Sequence, residues 1–196
     1  MKPRVACAIL AAGGSRRLGH PKQLVLHRGQ PLVRLAALCA WQSRAAACAV
    51  VVGAAGDAVR QALGAVPVEV LRNADWEEGV AASLRVALSW AREAGCTALL
   101  VALCDQPRLT PAHLDQLIAE HERTGLAVAS RYADKNAVPA LFPSAYFDAL
   151  AALRGDSGAS PLLNGSQPVV SVPWPGGALD VDTQDSERRL LHADAE

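Results

Sequence analysis

The feature that most restricts the fold of this 196-residue chain is the way it begins. Val5-Ala-Cys-Ala-Ile-Leu10 is an unbroken apolar run that breaks into Gly13-Gly14-Ser15. A run with no polar alternation predicts a buried strand, and the glycines predict a tight loop at its end. Without a Cβ in the way, backbone N–H groups there can approach an anion closely. Arg16, Arg17 and Lys22 set three positive charges in the same short segment. Bare amides ringed by cations at the end of a first strand point to phosphate. A glycine loop that merely turns the chain, with its arginines solvated, is the simpler alternative.

Two commoner phosphate loops are excluded. Gly14 and Gly19 have P-loop spacing, but His20-Pro21 stand where Lys-Ser/Thr is required. Proline also lacks the N–H that such a turn donates. No Gly-x-Gly-x-x-Gly is present, so the dinucleotide fingerprint fails as well.

Beyond the loop, short apolar runs alternate with amphipathic stretches, the pattern of βα units around a largely parallel sheet. Strands are predicted at 5–11, 47–52, 68–71, 98–103, 126–130, 168–172 and 179–181, with a short one at 139–142. Helices are predicted at 32–43, at 57–63 with Asp57 as cap, and at 80–94, closed by Gly95. Further helices cover 110–123, with Thr110 as cap and Pro111 at the first position, then 144–153, 158–163 and a terminal one from 184. No repeat or low-complexity linker divides the chain. One α/β domain over residues 1–196 is expected, with 131–173 as an insertion-like portion able to shape an acceptor pocket.

Nineteen Lys plus Arg balance nineteen Asp plus Glu. No basic field therefore exists to hold nucleic acid or an anionic membrane surface. Five cysteines show neither C-x-x-C pairing nor zinc spacing and read as reduced thiols. No signal peptide opens the chain, and its apolar stretches fall short of the roughly 20 residues that cross a bilayer. A cytoplasmic, soluble protein is the expectation.

Ligands of open parallel sheets bind beyond the carboxyl ends of the strands. Asp105 follows Leu99-Leu-Val-Ala-Leu103 and should emerge at the same edge as the glycine loop. One or two carboxylates plus substrate phosphates suffice for Mg²⁺, so Asp105 is the candidate metal ligand. The competing reading is a solvated turn aspartate.

Leu10-Ala-Ala-Gly-x-Ser-x-Arg-Leu-Gly-x-Pro-Lys22 resembles the signature loop of the molybdenum-cofactor nucleotidyltransferases. Cys104-Asp-Gln-Pro-x-Leu-Thr110 is similar to that family's Gly-Asp-Met-Pro-x-Leu-Thr segment, and Asp180-Val-Asp-Thr-Gln-Asp185 to its Asp-Ile-Asp-Thr-Pro-Glu-Asp run. Asn73-x-Asp-Trp-x-x-Gly79-x-x-x-Ser83 follows the family too. The resemblance implies a three-layer αβα Rossmann-like, GT-A-like fold with a mostly parallel sheet. It implies nucleotide contacts from Leu10, Ala11, Ala12, Gly13, Gly14, Ser15, Arg17, Gly19, Lys22, Asn73, Gly79 and Ser83. Arg17, Lys22 and Asp105 become the catalytic set, and Mg²⁺ the cofactor on Asp105 and Asp182. Asp182 or Thr183 can equally cap the last helix.

Arg154-Gly-Asp-Ser-Gly-Ala159 resembles the family's acceptor element, with Ser160 where an arginine is usual. Asn136-Ala-Val-Pro139 departs from the Gly-His-Pro or Gly-Val-Pro often found. Ala12, where the guanylyl-transferring branch has glycine, implies CTP over GTP and a molybdopterin-type acceptor. The product would serve a molybdenum hydroxylase apo-enzyme. The alternatives are a guanylyl- or sugar-phosphate nucleotidyltransferase, or a non-catalytic molybdenum-cofactor carrier.

Overall fold

A computed structural model describes residues 2–193. Strand β1 (Val5–Ala11) sends Val5, Cys7, Ile9 and Ala11 into one apolar layer and Ala6, Ala8 and Leu10 into the other. That is the period-two geometry of a strand buried on both faces. A two-stranded hairpin, β2 (Leu26–His27) and β3 (Gln30–Pro31), precedes helix α1 (Leu32–Gln42). Then come β4 (Ala47–Val52), α2 (Gly56–Leu63), β5 (Glu69–Arg72), α3 (Val80–Glu93) and β6 (Ala98–Leu103).

Helix α4 (Pro111–Thr124) leads to β7 (Ala127–Tyr132) and β8 (Lys135–Pro143). Helices α5 (Phe147–Ala152) and α6 (Ser160–Leu163), strand β9 (Val169–Pro173) and helix α7 (Gln184–Ala193) complete the order. The main sheet runs β5-β4-β1-β6-β8-β7-β9, and only β8 is antiparallel to its neighbours. One apolar layer holds side chains of α1, α2 and α4, and the other those of α3, α5 and α6. The predicted three-layer αβα, mostly parallel architecture is therefore the one observed. Among the described residues no helix is long and apolar enough to cross a membrane.

The chain leaves β1 toward β4 on one side, whereas β6 leads to β8 and β7 on the other. The crevice at their carboxyl ends is the topological switch point, where ligands of such sheets bind. Leu10 and Leu103 are register partners, so the loop after β1 and the turn after β6 start side by side.

Three local expectations are corrected. Asp57 is not a cap: α2 starts at Gly56 after Ala55 with no side-chain cap, and Asp57 lies in the first turn, where a carboxylate still favours the helix dipole. The irregular stretch after Arg131 is mostly strand, since β8 spans nine residues and not only 139–142. Its pairing with β7 jumps between Ala129 and Ser130, leaving Val138 and Pro139 outside the ladder, and a bulge is where a residue without an N–H is tolerated. Residues 179–181 form no strand. Val181 N–H donates once, to Asp105 O at 3.0 Å, and the segment crosses the end of β6.

Thr110 caps α4 as predicted, its hydroxyl accepting from His113 N–H. His113 stacks on Trp174, with centroids 4.6 Å apart and planes at 14°. Its Nε2 lies 2.7 Å from Ser130 Oγ, which donates to Pro139 O. With the hydroxyl proton committed, Nε2 carries the imidazole proton and donates. Burial pushes the His113 pKa down to about 4. The unfolded chain therefore binds the extra proton first, and His113 lowers stability as pH falls from ~6.5 through 4. Thermal melts across that window should show a shallower acid loss for His113→Gln than for the native chain.

Candidate active site

The loop after β1 is held from below by a side chain that pattern reading passed over. Gln23 is buried, and its Nε2 donates to Ala11 O at 2.9 Å and Gly13 O at 2.8 Å. Ser15 takes a left-handed φ of 50°, and its Oγ accepts Lys22 N–H at 3.0 Å. Ser15 O accepts from Leu18 and Gly19 N–H, both at 3.1 Å. These bonds fold the loop back on itself and fix the base of Lys22. Among the described residues, no N–H from Gly13 to Arg17 donates within the chain, so the amides stay available to a ligand.

The loop borders a cleft of about 590 Å³, lined by Leu10, Ala12, Gly13 to Arg17, Lys22, Trp76, Glu77, Gly79, Val80, Ser83, Leu103, Asp105, Asp156 and Asp182. Of the residues that the resemblance ties to nucleotide, Ala11, Gly19 and Asn73 do not line it. Ala11 points into the apolar layer under α1, and Gly19 closes the turn at φ 87°. Asn73 is buried; its amide donates to Ser83 Oγ at 3.0 Å and accepts from Asp75 N–H at 3.0 Å. It positions Ser83 from behind, because its hydrogen-bonding groups are engaged inside the protein.

Trp76, Glu77 and Asp156 line the cleft as well, Asp156 from the segment that resembles the family's acceptor element. The Trp76 ring presses on Gly14, where an added Cβ would lie 3.0 Å from it. Asp156 arrives because the loop after α5 packs on Gly79. Gly79 starts α3 at φ 104°, and a Cβ there would meet the Gly155 backbone and lie 2.5 Å from Asp156 Oδ1. Both the left-handed φ and the backbone neighbour forbid a side chain. Gly79→Ala should therefore cost at least about 2 kcal/mol, read as a drop in Tm of roughly 4–8 °C.

Two carboxylates from distant segments meet on one ammonium. Lys22 Nζ contacts Asp105 Oδ2 and lies 3.2 Å from Asp182 Oδ1, while Arg17 contacts Asp182 Oδ2. Asp182 is free to do so because Thr183 caps α7. Thr183 Oγ1 accepts Ser186 N–H at 3.2 Å, and Ser186 Oγ accepts Thr183 N–H at 3.0 Å. That reciprocal pair resembles a capping box. Burial works to lower the Lys22 pKa, but the charge and hydrogen bond of Asp105, with Cys104 and Asp182, hold it above its ordinary value. Burial pushes the Asp105 carboxyl up, and Lys22 pulls it back only in part.

The residues fit a hard divalent cation. Asp105 Oδ1 is buried with no hydrogen-bond partner, in the same carboxylate that reaches Lys22. Among the described residues no group of three or more His, Cys, Asp or Glu gathers as a metal site. Any cation would thus draw on Asp105 and Asp182, with phosphate and water oxygens supplying the rest. The cleft holds three cationic side chains against four carboxylates, one net negative charge. That balance suits a polyphosphate only if a cation comes with it. The neighbouring Cys104 thiol is inert: burial, then Asp105, push its pKa up to about 12.

Residues 7–170 match the MobA-like NTP transferase domain. The chain belongs to that family. Its fold matches the crystal structure of the Rv0371c protein of Mycobacterium tuberculosis H37Rv with a TM-score of 0.85 at 35% identity, over 98% of this chain and 100% of that one. The same protein's structure in complex with manganese matches at 0.81 and 33% identity, over 97% and 99% of the two chains. The nicotine blue oxidoreductase of Paenarthrobacter nicotinovorans is 29% identical over 96% of this chain and 97% of its own. The molybdenum cofactor guanylyltransferase of Rhodobacter capsulatus is 36% identical over 59% of this chain and 58% of its own.

Proposed function

We propose that this MobA-like transferase moves a cytidylyl group from CTP to the phosphate of a molybdopterin-type acceptor, with Mg²⁺ as cofactor, and releases pyrophosphate. The convergence of Asp105 and Asp182 on Lys22, beside a loop of undonated amides, carries this reading. An acceptor phosphate oxygen bonds to the α-phosphorus as the bond to the bridging β-phosphate oxygen breaks. The acceptor is already anionic, so no protein nucleophile is needed, and catalysis rests on alignment and charge. The loop amides and Arg17 grip phosphate oxygens, and Lys22 stabilises the charge that builds on departing pyrophosphate. Asp105 and Asp182 would hold the cation, which when bound neutralises phosphate charge. The manganese complex of the mycobacterial relative supports a divalent cation in this fold.

Ala12 is buried at the cleft wall and supports the choice of CTP. One methyl group shifts purine against pyrimidine by only ~1–3 kcal/mol. The guanylyltransferase relative favours GTP as the second reading. Residues 131–173 enter the acceptor side through Asp156, while Ser160, opening α6, bonds within its own turn to Asn164. Pyrophosphate release from CTP and from GTP, each with molybdopterin or a sugar phosphate as acceptor, tests the proposal. Release that needs both CTP and molybdopterin supports it. Cofactor binding without release would make the protein a carrier, and turnover of nicotine blue instead would favour redox chemistry.

A further inference from the structure

The ammonium of Lys22 stands where a cation shared by Asp105 and Asp182 would stand, since oxygens of both carboxylates touch that one nitrogen. We infer that Lys22 is the resident cation of this carboxylate pair, and that a divalent metal binds the free protein weakly because it must displace that ammonium. The inference deepens the transferase reading, on which it rests for the role of phosphate.

Charge and mobility both support the exchange. Asp105, Asp182, Lys22 and Arg17 form a quartet with no net charge. A dication added to it gains far less than one added to two bare carboxylates. The unpartnered Asp105 Oδ1 does not remove the difficulty, because one buried carboxylate oxygen is a poor site without further oxygen ligands. The backbone of Lys22 is pinned, with its N–H on Ser15 Oγ and its carbonyl accepting Val25 N–H at 3.2 Å. Any displacement of the ammonium must therefore come from the side chain. It lines the same cleft as the loop of undonated amides, so a triphosphate bound there offers the ammonium a second anionic partner. Lys22 then turns to phosphate and vacates the carboxylates as the metal arrives with the nucleotide. By linkage each raises the other's affinity by one common factor.

Titration of the whole protein with Mn²⁺, followed by the paramagnetic resonance of the free aqua ion, tests this without nucleotide or acceptor. Lys22→Met should bind one Mn²⁺ at least about tenfold more tightly than the native protein. Adding Asp105→Asn should abolish the gain. Arg17→Gln, at a side chain 74% exposed and so safe for folding, should tighten binding by roughly two- to fivefold through the same pair. Equal Mn²⁺ affinity in the native protein and a folded Lys22→Met overturns the inference, as does a gain that survives Asp105→Asn. If Lys22→Met does not fold, an unchanged Arg17→Gln overturns it. A protein that releases no pyrophosphate from any triphosphate would sink the transferase reading and leave the Mn²⁺ result standing.

Discussion

Lys22→Ala is expected to cut turnover by about a hundredfold or more at saturating substrates, the scale of one lost transition-state charge partner. The effect should fall on kcat more than on KM, because the ammonium is worth most where charge builds on the leaving pyrophosphate. In the resting protein Lys22 serves the carboxylates, so its removal leaves Asp105 buried without a counter-charge. The Asp105 carboxyl, already pushed up by burial, then rises further. The pH profile of residual kcat/KM, which reports the free protein, should accordingly move its acid limb upward. Lys22→Arg separates charge from shape: a forked guanidinium restores charge but does not fit between two carboxylates as a compact ammonium does. It should recover less than a tenth of the native rate, about one decade. Full activity in Lys22→Ala, measured as pyrophosphate release, would remove Lys22 from the chemistry.

Which parts of this site could be read in advance follows from how local their causes are. β1 and β6 are buried on both faces, so their apolar runs show in composition alone, and Asp105 follows from the rule for strand ends. The partner of Asp105 has no such signature. Asp182 reaches the cleft because 179–181 crosses the end of β6, held by one hydrogen bond from Val181 to Asp105 O. A short apolar segment reads the same whether it pairs as a strand or crosses one. Only Thr183, in the capping position, settles that Asp182 is spared for the cleft. Gln23 is a similar case. It sits in a short 3-10 turn, Lys22–Leu24, and its burial is set by the loop it supports. A polar residue next to an apolar run gives no hint of that. Strand β8 was obscured because it opens on the polar pair Lys135-Asn136 and Pro139 interrupts it, and the bulge opposite exists only in three dimensions. Asn73 misled in the other direction. Its place past a strand end suits base recognition, yet the α3 residue Ser83 claims its amide.

Asp105→Asn should divide catalysis from stability at one atom. The substitution keeps the shape and an oxygen for Lys22, and removes the charge that would hold the cation. Turnover should fall by about a hundredfold or more, and excess Mg²⁺ should not restore it. Stability should respond differently. Burial of the carboxylate outweighs what Lys22 returns to it, which is why its pKa lies above the ordinary value. An acid raised on folding takes up protons in the native state, so its ionisation opposes folding as pH climbs through the native pKa. The neutral amide escapes that cost, while Lys22 retains Asp182 at 3.2 Å. Against that gain, the amide NH2 takes the place of Oδ1, which is buried without a partner. Tm at neutral pH should therefore stay within roughly 2–4 °C of the native value, about 1 kcal/mol for a chain of this size. Such a pairing of lost rate with kept stability marks a residue retained for chemistry at the expense of the fold. A fall in Tm larger than the same interval, with activity surviving, would instead make Asp105 a structural anchor for Lys22.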